Sequence, residues 1–240
     1  MKRAHVLQIL GIAAAASVLV WVATMAVGGY QPGPQQAKAG AEQRVPRTVI
    51  DDAMAEVETS LAGPLGTVSS PGVIAEHSPA LDRVIALGTP AIPELISQIE
   101  DSPRGGIRED LLAICVNRIT KSWVAGPPGT DTYWNSGKQF PAVWRVHLAR
   151  TPETVASIAD SDVSSEEKNA RLVKLGTPAI PFILDEVEAG HGDLSIAAQT
   201  LMEGTVEMGG ESPRGPATAE WAKQQKARFT ELRGLVLATK

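Results

Sequence analysis

Leu87-Gly88-Thr89-Pro90-Ala91-Ile92-Pro93 recurs letter for letter as Leu175-Gly176-Thr177-Pro178-Ala179-Ile180-Pro181, 88 residues further along a chain of 240. An identity of this kind within one chain marks a duplicated structural unit. The flanks agree in kind: Arg83-Val84-Ile85 precedes one copy and Arg171-Leu172-Val173 the other. Downstream, Leu95, Ile96, Ile99 and Glu100 answer to Ile183, Leu184, Val187 and Glu188.

The punctuation of each copy predicts its local structure. Gly88 and Gly176 are expected to end a helix in the left-handed closing conformation. Thr89 and Thr177 are placed to cap the next helix, and Pro90 and Pro178 to fill its first position. Pro93 and Pro181 fall at the edge of the first turn, where a missing N–H costs least. Ile92, Leu95, Ile96 and Ile99, matched by Ile180, Ile183, Leu184 and Val187, then recur every three or four positions, the spacing of one buried helix face. A second apolar helix follows, with Leu112, Cys115, Val116 and Ile119 answering to Leu194, Ala197, Ala198 and Leu201 once the first copy is given a loop six residues longer. Each copy therefore reads as a helical hairpin.

Other segments read as helix too. Ile50, Met54, Val57 and Leu61 form an amphipathic stripe, with Asp51 and Asp52 assigned to its first turn, where the helix dipole favours acids. Gly63 to Ser78 reads as a long loop. Thr151-Pro152 and the capping box Ser164-x-x-Glu167 read as helix starts, and further helices are expected near Trp144 and Trp221. No window alternates polar and apolar residues for long, so almost no sheet is expected.

The heptapeptide, its amphipathic helix and the second apolar helix together resemble HEAT repeats, especially the short HEAT-like variety also found in phycobiliprotein lyases. The resemblance covers about residues 81 to 121 and 165 to 204. It implies an all-α fold, an α-solenoid of HEAT-like helical hairpins that serves as a protein-binding scaffold. Because 88 residues is about twice one HEAT hairpin, intervening helices or degenerate repeats must fill the gap. The same resemblance implies an alternative function, a bilin or tetrapyrrole lyase-like protein that handles a chromophore.

The start of the chain differs in composition. Val6 to Val27 is a run of 22 residues without charge, and a hydrocarbon core about 30 Å thick needs roughly 20 helical residues to cross it. A cleavable signal peptide has an apolar region of only ~7–15 residues, so the length favours a signal anchor, although Ala26-Val27-Gly28 offers a small-x-small cleavage site. Lys2 and Arg3 before the run place the N-terminus in the cytoplasm and the rest of the chain outside it, in the periplasm or at the cell surface. The organisation expected is a transmembrane segment at residues 1–29, a linker rich in Pro, Gly and Gln at 30–46, and a helical repeat domain at 47–240. The net charge of −5 excludes a nucleic-acid binder of the usual basic kind.

Candidate sites are few. Trp123, Tyr133, Trp134, Phe140 and Trp144 are five of the ten aromatic residues, clustered around Gly126-Pro127-Pro128-Gly129. Trp144 has a counterpart in Trp221 and reads as core; Trp123, Tyr133 and Trp134 are the candidate contacts for a protein partner, because tryptophan is enriched in binding hot spots. A glycan of the cell envelope is an alternative ligand for such rings. Cys115, the only thiol, lies in the apolar run Leu111 to Val116 and reads as core. The four histidines show no metal-ligand spacing, and His191-Gly192-Asp193 occupies the turn of the second hairpin. Asp160 to Ser164 lacks the glycine and glutamate of a calcium loop, with Ser165 and Arg171 in their places. No nucleophile elbow, phosphate loop, His-Glu-x-x-His or dinucleotide fingerprint is present. The expectation is a binding protein rather than an enzyme, without cofactor or metal.

Overall fold

The computed structural model describes residues 45–61, 70–103, 105–124 and 134–239, all of it helix, turn or connecting coil. The apolar run Val6–Val27, the linker after it and Tyr133 lie outside the described residues. Among the described residues no helix is long and apolar enough to cross a membrane.

Among the described residues eleven α-helices follow one another, and the two copies of the heptapeptide start matching units. The chain enters through α1 (Arg47–Leu61), α2 (Pro71–Glu76) and α3 (Pro79–Ile85). The first heptapeptide leads into α4 (Ile92–Asp101) and α5 (Ile107–Ile119). Helix α6 (Phe140–Ala159) connects to α7 (Ser165–Val173), and the second heptapeptide leads into α8 (Ile180–Ala189) and α9 (Ser195–Met202). The chain closes with α10 (Ala219–Lys226) and α11 (Thr230–Leu237). Helices α4 and α5 pack as a hairpin, as do α8 and α9, and α6 lies against both α4 and α8. The architecture is all-helical and compatible with an α-solenoid.

The sequence signals act locally as expected in several places. In α1 the stripe is buried at Ile50, Met54 and Val57 and packs on α3. Ser164 caps α7, its hydroxyl accepting the Glu167 N–H at 3.2 Å. Pro93 and Pro181 sit in the first turn of α4 and α8. Trp144 and Trp221 are both buried. Cys115 is fully buried, and burial pushes its thiol up to about 12, so the protonated thiol packs as a small apolar group.

Other expectations fail for identifiable reasons. The glycines take positive φ, but with extended ψ: 69° and −156° at Gly88, 77° and −173° at Gly176. This is a glycine-only region rather than the left-handed helical one. Thr89 and Thr177 make no cap with their side chains; each heptapeptide first forms a 3₁₀ turn, Thr89–Ala91 or Thr177–Ala179, and the α-helix starts after it. Helix α1 begins at Arg47, so its first turn holds no acid; Asp51 instead accepts Arg108 Nη2 of α5 at 2.7 Å. The loop expected from Gly63 to Ser78 contains α2, with Pro71 in its first turn. Thr151-Pro152 starts no helix, because α6 runs through it. The Thr151 hydroxyl donates to the His147 carbonyl at 2.8 Å, and the buried Leu148, Val155 and Ala159 on either side hold the helix in one piece. Their packing outweighs a proline penalty of about 3 kcal/mol.

The two copies are not merely adjacent. Gly176 lies against the end of α5, and the Thr177 N–H donates to the Thr120 carbonyl at 2.7 Å. Gly88 lies in turn against Val206, just beyond α9, and an added Cβ there would come 2.8 Å from Val206 Cγ2. Each heptapeptide thus rests on the chain leaving the second helix of the other copy. Lys121, the one non-glycine residue with positive φ among the described residues (49°), adds a third tie, its ammonium donating to the Leu201 carbonyl at 3.2 Å and also to that of Glu203. Helix α11 touches both 3₁₀ turns. A linear stack in which each repeat meets only its neighbours has no such reciprocal contacts.

These contacts predict unequal costs for equivalent substitutions. An added Cβ at Gly176 would strike the Thr120 carbonyl and come 2.5 Å from Ser122 Cβ, both held by hydrogen bonds. At Gly88 the obstacle is the exposed side chain of Val206. Gly176→Ala should destabilise by on the order of 3 kcal/mol, combining backbone strain with overpacking. Gly88→Ala should cost visibly less, as read from urea midpoints at constant slope.

Candidate partner-binding surface

The segment leaving α5 is pinned on both sides of Trp123. Thr120 turns its hydroxyl onto the Val116 carbonyl at 2.7 Å and meets the Ser122 hydroxyl at 2.8 Å. The Ser122 N–H donates to the Asn117 carbonyl at 3.1 Å, and the Val124 N–H donates to Asn117 Oδ1 at 3.3 Å. Ser122 and Val124 are both buried. With its neighbours on both sides anchored inward, Trp123 between them turns outward. Trp123 is 68% exposed, the largest value among the large apolar side chains of the described residues.

Trp134 supports this ring from behind. Its Nε1–H donates to the Val124 carbonyl at 2.5 Å, and its ring lies 6.5 Å from that of Trp123 at an angle of 39°. The file of rings continues inward. Trp134 meets the buried Phe140 edge-on at 5.4 Å, Phe140 stacks on Trp144 at 6.0 Å, and Trp144 stacks on His147 at 5.6 Å. Offset and edge-to-face pairs at these separations are each worth ≈ 0.5–1.5 kcal/mol beyond area burial. The file ends where His147 Nε2 hydrogen-bonds the carbonyl of Leu175 at 3.0 Å, the first residue of the second heptapeptide. An exposed indole is thus connected, ring by ring, to the repeat junction.

Of the three residues singled out by sequence, Trp123 and Trp134 are brought together, and Tyr133 lies outside the described residues. Their roles differ: Trp123 offers a face to solvent, while Trp134 is half-buried and divides its contacts between Trp123 and the core. The residues that create the surface, Asn117, Thr120 and Ser122, were not recognised from sequence. The only signal for them is their polarity just after the apolar run Leu111 to Val116. Lys121 also escaped notice, since it sits in no motif, and His147 was considered only as one of four histidines without metal-ligand spacing. Among the described residues no group of three His, Cys, Asp or Glu side chains is arranged to hold a metal ion.

Burial holds the His147 imidazole below its ordinary range, with the Leu175 carbonyl opposing the shift. The unfolded imidazole titrates near 6.5, so the folded state binds its proton less readily. Stability from this group is therefore full above the unfolded value and is lost as pH falls below it. The thermal midpoint of the wild type should drop between about pH 7 and pH 5 more than that of His147→Gln, as followed by circular dichroism.

No protein-family model, no curated protein and no solved structure matches the chain.

Proposed function

We propose that this chain is a membrane-anchored, extracytoplasmic scaffold of HEAT-like type that binds another protein and helps to assemble or localise a complex. The observation that carries the reading is Trp123, a large apolar ring held outward by buried neighbours on both sides. A tryptophan presented on a fixed backbone loses little entropy on binding, the property that makes such residues interface anchors. The uncharged run at Val6–Val27 supports the anchor, and the pair Lys2 and Arg3 the orientation. The paired hairpins α4/α5 and α8/α9, each opened by the same heptapeptide, support the HEAT-like assignment. Binding rather than catalysis is favoured because no motif in the sequence assembles a nucleophile, base or phosphate cradle.

Crosslinking the full-length protein in its native membrane, followed by affinity purification and mass spectrometry, should return a stoichiometric partner and an intact N-terminus. Trp123→Ala should weaken that capture by about 2 kcal/mol, roughly thirtyfold in affinity, while leaving the helical circular-dichroism signal unchanged. A protein recovered alone would defeat the scaffold reading. Trp123-dependent sedimentation with cell-wall material would replace it by glycan binding.

A further inference from the structure

The two junctions between the copies are not closed in the same way. At one, the Thr177 N–H donates to the Thr120 carbonyl at 2.7 Å. At the other, Gly88 meets the Val206 side chain rather than a carbonyl, and the matching Thr89 N–H makes no hydrogen bond. A cavity of about 80 Å³ lies there, lined by Thr89, Thr177, Thr205, Glu207, Lys121 and Arg118 together with apolar neighbours. Thr89 and Thr177, the same residue of the two heptapeptides, are 5% and 3% exposed, and neither hydroxyl makes a hydrogen bond. The Thr205 hydroxyl and Glu207 Oε1 are also buried without a partner. Two of the four such side-chain atoms among the described residues thus belong to the lining of one small space. Lys121 uses two of its three N–H groups on the Leu201 and Glu203 carbonyls, which leaves one for the cavity.

We propose that this cavity is a binding site for ordered water, about two or three molecules that join the copies where no direct bond does. Left unmet, this many buried polar groups would oppose folding by an amount comparable with the whole stability of a domain. The mixed charge of the lining decides what meets them. An anion would be drawn by Lys121 and Arg118 but repelled by Glu207, and a cation the reverse, with both signs across one small space. Water donates and accepts at once: it can give a proton to the Glu207 carboxylate and the threonine oxygens while receiving those of the Thr89 N–H and Lys121. Size agrees, because water takes up about 30 Å³ per molecule, and organic ligands occupy pockets of ≈ 300–1,000 Å³. The occupant stands in for a backbone carbonyl. Where the second copy offers Thr177 the Thr120 oxygen, the first offers Thr89 a water oxygen. The same waters reach Lys121, the left-handed residue at φ 49° from which the Trp123 segment departs.

Removing a hydroxyl without changing the shape of the side chain separates a wet cavity from a dry one. Thr205→Val and Thr177→Val are made in the full-length protein and unfolded by urea in detergent. Neither hydroxyl caps a helix, so the change reads the cavity. With water bound, each variant lowers the urea midpoint by roughly 0.5 M at unchanged slope, the loss of one ordinary hydrogen bond in a chain of this size. Midpoints that stay or rise overturn the proposal, because exchanging an unmet buried hydroxyl for a methyl group stabilises a dry cavity. Should Thr177→Val not fold, Thr205→Val carries the test. A midpoint that follows one inorganic ion at constant ionic strength also overturns it, by giving the site to that ion. A crystal structure of the full-length protein that shows ordered solvent supplies the direct reading. Solvent peaks within hydrogen-bond distance of the Thr89 nitrogen and Glu207 Oε1 support the proposal; a dry cavity, or a Thr89 N–H that reaches a protein carbonyl, overturns it.

Discussion

The contact between Gly176 and the carbonyl end of α5 is the constraint on which the rest of the structure depends. Only a residue without a side chain lets the second heptapeptide come close enough for the Thr177 N–H to reach the Thr120 carbonyl at 2.7 Å. Once Thr120 is held there, the chain beyond it has little freedom. Lys121 takes a left-handed conformation at φ 49°, an arrangement that costs a non-glycine residue of order 1–3 kcal/mol and persists only where surroundings over-determine it. Its ammonium meets the exposed carbonyls at the end of α9, where the helix dipole favours positive charge. Ser122 and Val124 turn inward and Trp123 turns out. The geometry that joins the copies is the same geometry that displays the indole.

Much of this architecture was legible from local chemistry. The heptapeptide announced duplication, its second proline marked the first turn of α4 and α8, and the capping box at Ser164 fixed the start of α7. These signals are short-range and act the same way wherever they occur. The misreadings arose where tertiary packing overrode local preference. Pro152 reads as a helix start, yet buried side chains before and after it keep α6 continuous. Asp51 reads as a first-turn acid, yet its partner is Arg108, 57 residues away. The glycines were recognised as needing positive φ, but their extended ψ follows from docking against another copy, which no local pattern encodes.

The candidate surface was legible only in part. Clustered aromatics near a proline- and glycine-rich stretch pointed to Trp123 and Trp134, and the pairing with Trp221 correctly assigned Trp144 to the core. Sequence could not rank Trp123 against Trp134. Their difference depends on the Asn117 side chain, which holds the Val124 N–H seven residues further along, and on the Trp134 indole bonding back to the Val124 carbonyl. The two copies, identical over seven letters, also diverged in how their faces are used. One heptapeptide opens a helix sealed by α10 and α11; the other opens a helix with part of its apolar face in solvent. Duplication supplied two similar surfaces, of which one became interior and one stayed accessible.

The central claim is that the repeat junction and the segment bearing Trp123 form one rigid unit, and native-state amide hydrogen exchange of the full chain in detergent tests it most directly. The account predicts that the amides of Ser122, Val124 and Thr177 exchange only through the same global opening as the core of α5 and α8. Exchange of Ser122 and Val124 through a local opening of much lower free energy, with Thr177 still protected, would contradict it.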